Sequence, residues 1–148
     1  MTISVEIINQ LSDNYSYLIS GNKDNSSIII DPAESDKILN VLKKKKLNVN
    51  YIFITHHHSD HTSVEADLVR AYPEVKVFSP SELNSISVNI ISDGNKIKTN
   101  LNEFEIIHTP GHTLDHIVLC DLKNNLLFVG DVLFRLGCGR VFEGTLEQ

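Results

Sequence analysis

The chain has little cysteine. Cys120 and Cys138 are the only two, and no short spacing joins them. This excludes a disulfide framework and points to a reducing compartment, the cytoplasm. No apolar run is long enough to cross a bilayer. The N-terminus, Met1-Thr2-Ile3-Ser4-Val5-Glu6, has no basic region followed by an apolar segment, so no signal peptide is expected and a membrane is not an expected partner. Cationic residues are outnumbered, 13 Lys and Arg against 19 Asp and Glu, and the formal charge of -6 argues against nucleic acid as a partner. Internal repeats, low-complexity tracts and linkers are absent as well. The 148 residues suffice for a core of their own, and residues 1–148 read as one domain.

What is abundant is histidine in one place. The apolar run Tyr51-Ile52-Phe53-Ile54 reads as a buried strand, and Thr55-His56-His57-His58-Ser59-Asp60-His61-Thr62 follows it. The run is internal, contains an Asp and leaves a strand end, none of which fits a purification tag. His56, His58, Asp60 and His61 are candidate metal ligands; imidazole with carboxylate suits zinc and also iron or manganese. His112, in Thr109-Pro110-Gly111-His112-Thr113, and Asp131, after Leu126 to Val129, stand at two further strand ends. Three imidazoles and a carboxylate can hold one metal. Asp60 and His61 can begin a second site, with Asp131 bridging. Two metals sharing a water would turn it into a hydroxide nucleophile near neutral pH.

The rest of the chain reads as a mixed α/β pattern rather than a regular βαβ repeat. Ile3 to Ile8, Tyr15 to Ile19 and Ser27 to Asp31 read as an antiparallel meander, the last strand stopped by Pro32. Glu34 to Lys46 has helical spacing, with Ile38, Leu39, Val41 and Leu42 inward and Lys43 to Lys46 as its solvated end. Ser63 to Ala71 reads as a second helix with Val64, Leu68 and Ala71 inward. Val75 to Phe78 is a short strand, Ile86 to Ile91 is ambiguous, and His116 to Cys120 with Leu126 to Val129 form a hairpin across Asn124-Asn125. His57 is expected to point away from its neighbours. His108 and His116 are expected to support the His112 loop rather than bind metal. Cys138 reads as part of a tight turn, Cys120 as buried, and Tyr15 and Tyr17 as packing residues near the site.

Thr-His-x-His-x-Asp-His, a later Pro-Gly-His-Thr and a later Gly-Asp together resemble the metallo-β-lactamase superfamily. Asp13-Asn14-Tyr15-Ser16-Tyr17, Thr55-His56-His57-His58 and Gly137-Cys138-Gly139-Arg140-Val141-Phe142-Glu143-Gly144-Thr145 are similar to glyoxalase II, the hydroxyacylglutathione hydrolases. A persulfide dioxygenase relative shares Gly-Cys-Gly-Arg but diverges after it. The resemblance implies an αββα sandwich and two divalent metals, zinc first, with iron or manganese as alternatives. It implies hydrolysis of the thioester S-D-lactoylglutathione to glutathione and D-lactate by a metal-bound hydroxide. His56, His58 and His112 would bind the first metal, Asp60 and His61 the second, and Asp131 would bridge, with Asp60 and Asp131 the catalytic carboxylates. Arg140 and Phe142 would meet the glutathione thioester.

The chain departs from the family in places. Thr62-Ser63-Val64 replaces a Gly-rich segment, and Phe142 stands where some relatives have Tyr. No histidine follows His116, so the second metal lacks one His ligand. The sandwich is expected to be incomplete, with the second sheet and the C-terminal helical domain missing and Thr145-Leu146-Glu147-Gln148 the start of a helix. An unpaired strand edge would then favour self-association. The alternatives are an inactive or mononuclear remnant, or another hydrolase of the superfamily such as a lactonase.

Overall fold

A computed structural model of the chain describes residues 2–63, 65–84 and 86–148. In chain order it contains β1 (Ile3–Gln10), β2 (Asn14–Gly21), β3 (Ser26–Ile30), α1 (Ser35–Lys45), β4 (Asn48–Phe53), α2 (Ser59–Thr62) and α3 (Glu65–Ala71). There follow β5 (Lys76–Ser79), β6 (Asn89–Ile90), β7 (Lys96–Lys98), β8 (Glu103–His108), β9 (Ile117–Asp121), β10 (Leu126–Phe128), β11 (Leu133–Phe134) and β12 (Gly137–Cys138). One sheet runs β1-β2-β3-β4-β5-β6, a second runs β10-β9-β8-β7, and β11 pairs with β12.

The first three strands form the expected antiparallel meander. From β3 to β6 the pairing is parallel, so each return needs a crossover, and α1 supplies the one between β3 and β4. Strand β3 is buried throughout, as a strand covered on both faces must be. Its alternation assigns the layers. Ile29 packs with Ile52, with Ile38 and Leu42 of α1 and with Leu68 of α3. Ile28 and Ile30 face the other way and meet Phe104, Ile106, Leu119 and Phe128 of the second sheet. Phe53 joins the sheets, stacking on Phe78 and meeting Phe104 edge-on, both at 5.0 Å. Lys43 to Lys46 are all exposed at the end of α1.

Several expectations change. The second sheet is not missing: four antiparallel strands are present. One of them, β7, was not foreseen, because Lys96-Ile97-Lys98 offers a single apolar residue. The helix expected over Ser63 to Ala71 is α3, Glu65–Ala71, with the four-residue α2 before it, and Ala71 is exposed; the helix ends there, and Tyr72 and Val75 pack against the core instead. Val64 lies outside the described residues. Cys138 is not in a tight turn but in β12, exposed. Thr145 to Gln148 forms a turn, closed by Gln148 N donating to Thr145 O at 3.3 Å and by the Gln148 side-chain oxygen accepting from Thr145 N at 2.9 Å. No helix among the described residues is long and apolar enough to cross a membrane.

Candidate metal centre

The segments that follow β4, β8 and β10 meet at one end of the two sheets. A backbone bond from Ile117 N to Thr55 O, 2.9 Å, ties the first ligand loop to the second sheet. The third segment is held by Asp131 N donating to His116 Nε2 at 3.1 Å. The turn at Gly130 is left-handed, φ 49°, and a Cβ there would come within 2.6 Å of both His116 Nε2 and Thr55 Oγ1.

His56, His58 and His112 converge, with one nitrogen from each within 4.8 Å of the others. His58 Nδ1 lies 3.1 Å from His56 Nε2 and 3.0 Å from His112 Nε2. Their outer bonds set the tautomers. Thr55 Oγ1 donates to Asp31 Oδ2 at 2.8 Å, so toward His56 Nδ1, 3.0 Å away, it acts as acceptor. His56 therefore carries its proton on Nδ1 and turns a bare Nε2 inward. His112 Nδ1 donates to the Arg140 carbonyl at 2.8 Å, which likewise leaves Nε2 bare. Burial, together with the neighbouring imidazoles, lowers the pKa of His56 and of His58. Three imidazoles whose nitrogens meet this closely make a donor set suited to a divalent cation.

A second group forms around His61, which is buried. Its Nε2 lies 3.3 Å from Asp131 Oδ1 and 3.7 Å from Asp60 Oδ2, and its Nδ1 lies 3.1 Å from Asp31 Oδ2, off the line of a hydrogen bond. Burial opposes a charge on His61, but Asp31 and Asp131 outweigh it and push the pKa up to about 10. The other oxygen of Asp131 is 3.4 Å from His112 Nε2, so its carboxylate reaches both groups. Burial would raise the pKa of Asp131, yet the hydrogen bond and charge of His61 lower it below the usual range. The compact second group is His56, His61 and Asp131; Asp60 stands at its rim, held by Asn14 Nδ2 at 2.8 Å. A cleft of about 400 Å³ opens beside it, lined by Asn14, Tyr15, Tyr17, Asp60, His61 and Asp131 among others.

The segment from Gly137 to Thr145 passes over His58 and His112 as a strap. It approaches so closely that a Cβ on Gly139 would overlap the Asp131 carbonyl oxygen. Phe142 meets His112 edge-on at 5.3 Å and His58 at 5.8 Å, and the exposed guanidinium of Arg140 sits 5.5 Å from the Phe142 ring centre. His57 turns outward to Asp115 and Glu143, and His108 Nε2 lies 2.8 Å from the Leu114 carbonyl. Asp31, Asn14, Thr55, Asp115 and Glu143 were not singled out in the sequence. The one local signal was Asp31-Pro32 at a strand end. There Asp31 takes a left-handed backbone, φ 51°, and its carboxylate accepts from Thr55 N as well as Thr55 Oγ1, both at 2.8 Å.

His116 gives a pH dependence. Its Nε2 accepts from Asp131 N, so its Nδ1 donates to Thr109 Oγ1, 3.0 Å away, and the ring is neutral. Burial is the main cause that lowers its pKa from 6.5 to about 4, against the opposing pull of Asp31. A folded pKa below the unfolded one means that the unfolded chain binds more protons between those values. The stability His116 contributes is full above pH 6.5 and is lost as pH falls toward 4, on the order of 3 kcal/mol. His61 has the opposite sign: its contribution is full below pH 6.5 and is lost as pH rises through about 10. The metal-free chain is therefore expected to be most stable near pH 6.5, and urea unfolding across this range checks it.

The model of the metallo-beta-lactamase superfamily matches residues 11–86 and 85–146. The hydroxyacylglutathione hydrolase of Pectobacterium atrosepticum is 40% identical over 139 residues, which cover 93% of this chain and 54% of that protein. The chain thus spans about half the length of the curated relatives it matches. Among solved structures, the BLEG-1 B3 metallo-beta-lactamase is similar with a TM-score of 0.80 at 22% identity, over 97% of this chain and 79% of that one. TTHA1623 in a di-iron-bound form has a TM-score of 0.71 at 25% identity, over 85% of this chain and 71% of that one.

Proposed function

The chain belongs to the metallo-beta-lactamase superfamily, and on that premise we propose that it is a metal-dependent hydrolase of glutathione thioesters, taking S-D-lactoylglutathione to glutathione and D-lactate. One observation carries the reading. The Asp131 carboxylate offers one oxygen to the His112 side and the other to His61, the reach that a two-metal hydrolytic site requires. The name carried by relatives at 40% identity supports the choice of substrate.

In this reading His56, His58 and His112 would hold the first divalent metal, Asp60 and His61 the second, and Asp131 would serve both. The donor set suits zinc, and also iron or manganese. When bound, such metals supply Lewis acidity to the thioester carbonyl and lower the pKa of water. The chain's own residues do the rest. Asn14 fixes Asp60 at the rim of the cleft, and Asp60 and Asp131 would take up the proton that leaves the attacking water. Arg140 presents a guanidinium that can pair bidentately with a glutathione carboxylate. Phe142 gives the thioester an apolar wall beside the imidazoles.

The second reading is a mononuclear centre. It is favoured by the second group, where, among the described residues, His61 is the one imidazole that the three-histidine group does not already use. The number of metals bound per chain separates the two, and thiol release tests the activity. The metal-loaded chain is expected to release thiol from S-D-lactoylglutathione faster than from simple acyl thioesters, and to leave lactones and β-lactams untouched. A folded, metal-loaded chain that releases no thiol would contradict the proposal.

A further inference from the structure

His57 sits between two of the imidazoles that form the three-histidine group, yet its ring lies on the opposite side of the loop. Its Nδ1 is 2.9 Å from Asp115 Oδ1 and its Nε2 is 3.1 Å from Glu143 Oε1. Each partner is anchored in turn. Asp115 accepts from Ser81 Oγ and from Thr113 Oγ1, both at 2.6 Å. Glu143 accepts from the backbone N–H of Leu114 at 2.8 Å through its other oxygen. Three segments that are far apart in sequence are thereby joined: the loop after β4, the loop after β8 and the strap.

We infer that His57 and Glu143 form a clamp that fixes the strap, and with it Arg140 and Phe142, against the three-imidazole group. The strap's inner side is already tied to the His112 loop. Arg140 O accepts from His112 Nδ1 at 2.8 Å, Phe142 N donates to His112 O at 3.3 Å and Gly144 N donates to Gly111 O at 3.0 Å. The clamp holds its outer side. It also borders an open cleft of about 590 Å³ lined by His57, Ser81, Leu114, Asp115 and Glu143 among others. An isolated exposed ion pair contributes little. Here the carboxylate of Glu143 also takes a backbone donor and the imidazole has a carboxylate at each nitrogen, so the pair acts as a network. The two are positioning residues. Their effect on turnover rests on the thioester reading, whereas their effect on the strap does not.

The test is hydrogen exchange by mass spectrometry on the full chain, with and without zinc, for His57→Ala, Glu143→Ala, the double variant and Glu143→Gln. Exchange in residues 137–148 is expected to speed up about tenfold in either alanine variant, with residues 117–128 unchanged as the control for folding. The double variant should be no worse than Glu143→Ala alone, since the two act together. Glu143→Gln keeps an acceptor for Leu114 N–H and should recover part of the protection. With S-D-lactoylglutathione, KM should rise about tenfold in the alanine variants while kcat changes less than about twofold. Unchanged exchange in the strap would overturn the clamp, as would a fall in kcat with KM unchanged. His57, His58 and Glu143 also lie close enough to share a cation; a zinc that binds in addition to those at the two groups and is lost in Glu143→Ala would make this a metal site and overturn the clamp too. If the parent chain shows no turnover but the strap loosens as described, the thioester reading falls and the clamp stands.

Discussion

Replacing Asp131 with Ala is expected to reduce thioester turnover by at least about 100-fold, the upper end of what removing a ligand's hydrogen-bonding partner costs, because here a ligand itself is removed. The fold should survive. The bond that anchors this segment, Asp131 N to His116 Nε2, belongs to the backbone and persists in the variant. What is lost is a carboxylate that reaches both His61 and His112. Metal content should therefore fall mainly at the His61 group, where the variant leaves a single imidazole and Asp60. The three-imidazole group keeps all its inward nitrogens and should retain its metal. Steady-state thiol release together with elemental analysis checks both parts. Turnover within about threefold of the parent would remove Asp131 from the mechanism.

The second large effect is on stability. Asp31 is 3% exposed, and its carboxylate accepts from both the N–H and the hydroxyl of Thr55, which is fully buried. The same carboxylate faces His61 at 3.1 Å. Asp31→Ala leaves two buried donors without acceptors and removes the counter-charge of a buried imidazole. Breaking a buried charged pair on one side costs about 3–5 kcal/mol. The variant should unfold at a markedly lower urea concentration. Thr55 Oγ1 also sets the His56 tautomer, so affinity for the first metal should drop as well, by about 10–100-fold. Asp31→Asn keeps one acceptor for Thr55 and should lose less. An Asp31→Ala chain destabilised by less than about 1 kcal/mol would show that Thr55 finds other partners.

Side-chain chemistry made part of this site readable in the sequence. Histidines and aspartates at strand ends announce themselves by type, and His56, His58, His61, His112 and Asp131 do come together where β4, β8 and β10 end. Contacts created by sheet pairing were not readable. Asp31 and Thr55 are 24 residues apart in sequence and meet only because β3 and β4 run parallel in register. The strap was noticed as a motif, but the roles seen in it belong largely to the backbone. Arg140 contributes a carbonyl to His112, and Gly139 contributes the absence of a side chain where the Asp131 carbonyl passes. Neither role is visible in a residue type. In the fold, the longer apolar runs were legible because burial demands them. β7 and the β11–β12 pair escaped because two or three residues give no period to detect.

The claim on which the rest depends is that these imidazoles and carboxylates hold divalent metals. The most direct test is elemental mass spectrometry of the gel-filtered chain after loading with zinc and removal of the excess, beside the variant His58→Ala. About two metals per chain are expected for the parent, with the first lost in the variant. A folded parent chain that retains no metal, or a His58→Ala variant that retains as much as the parent, would contradict it.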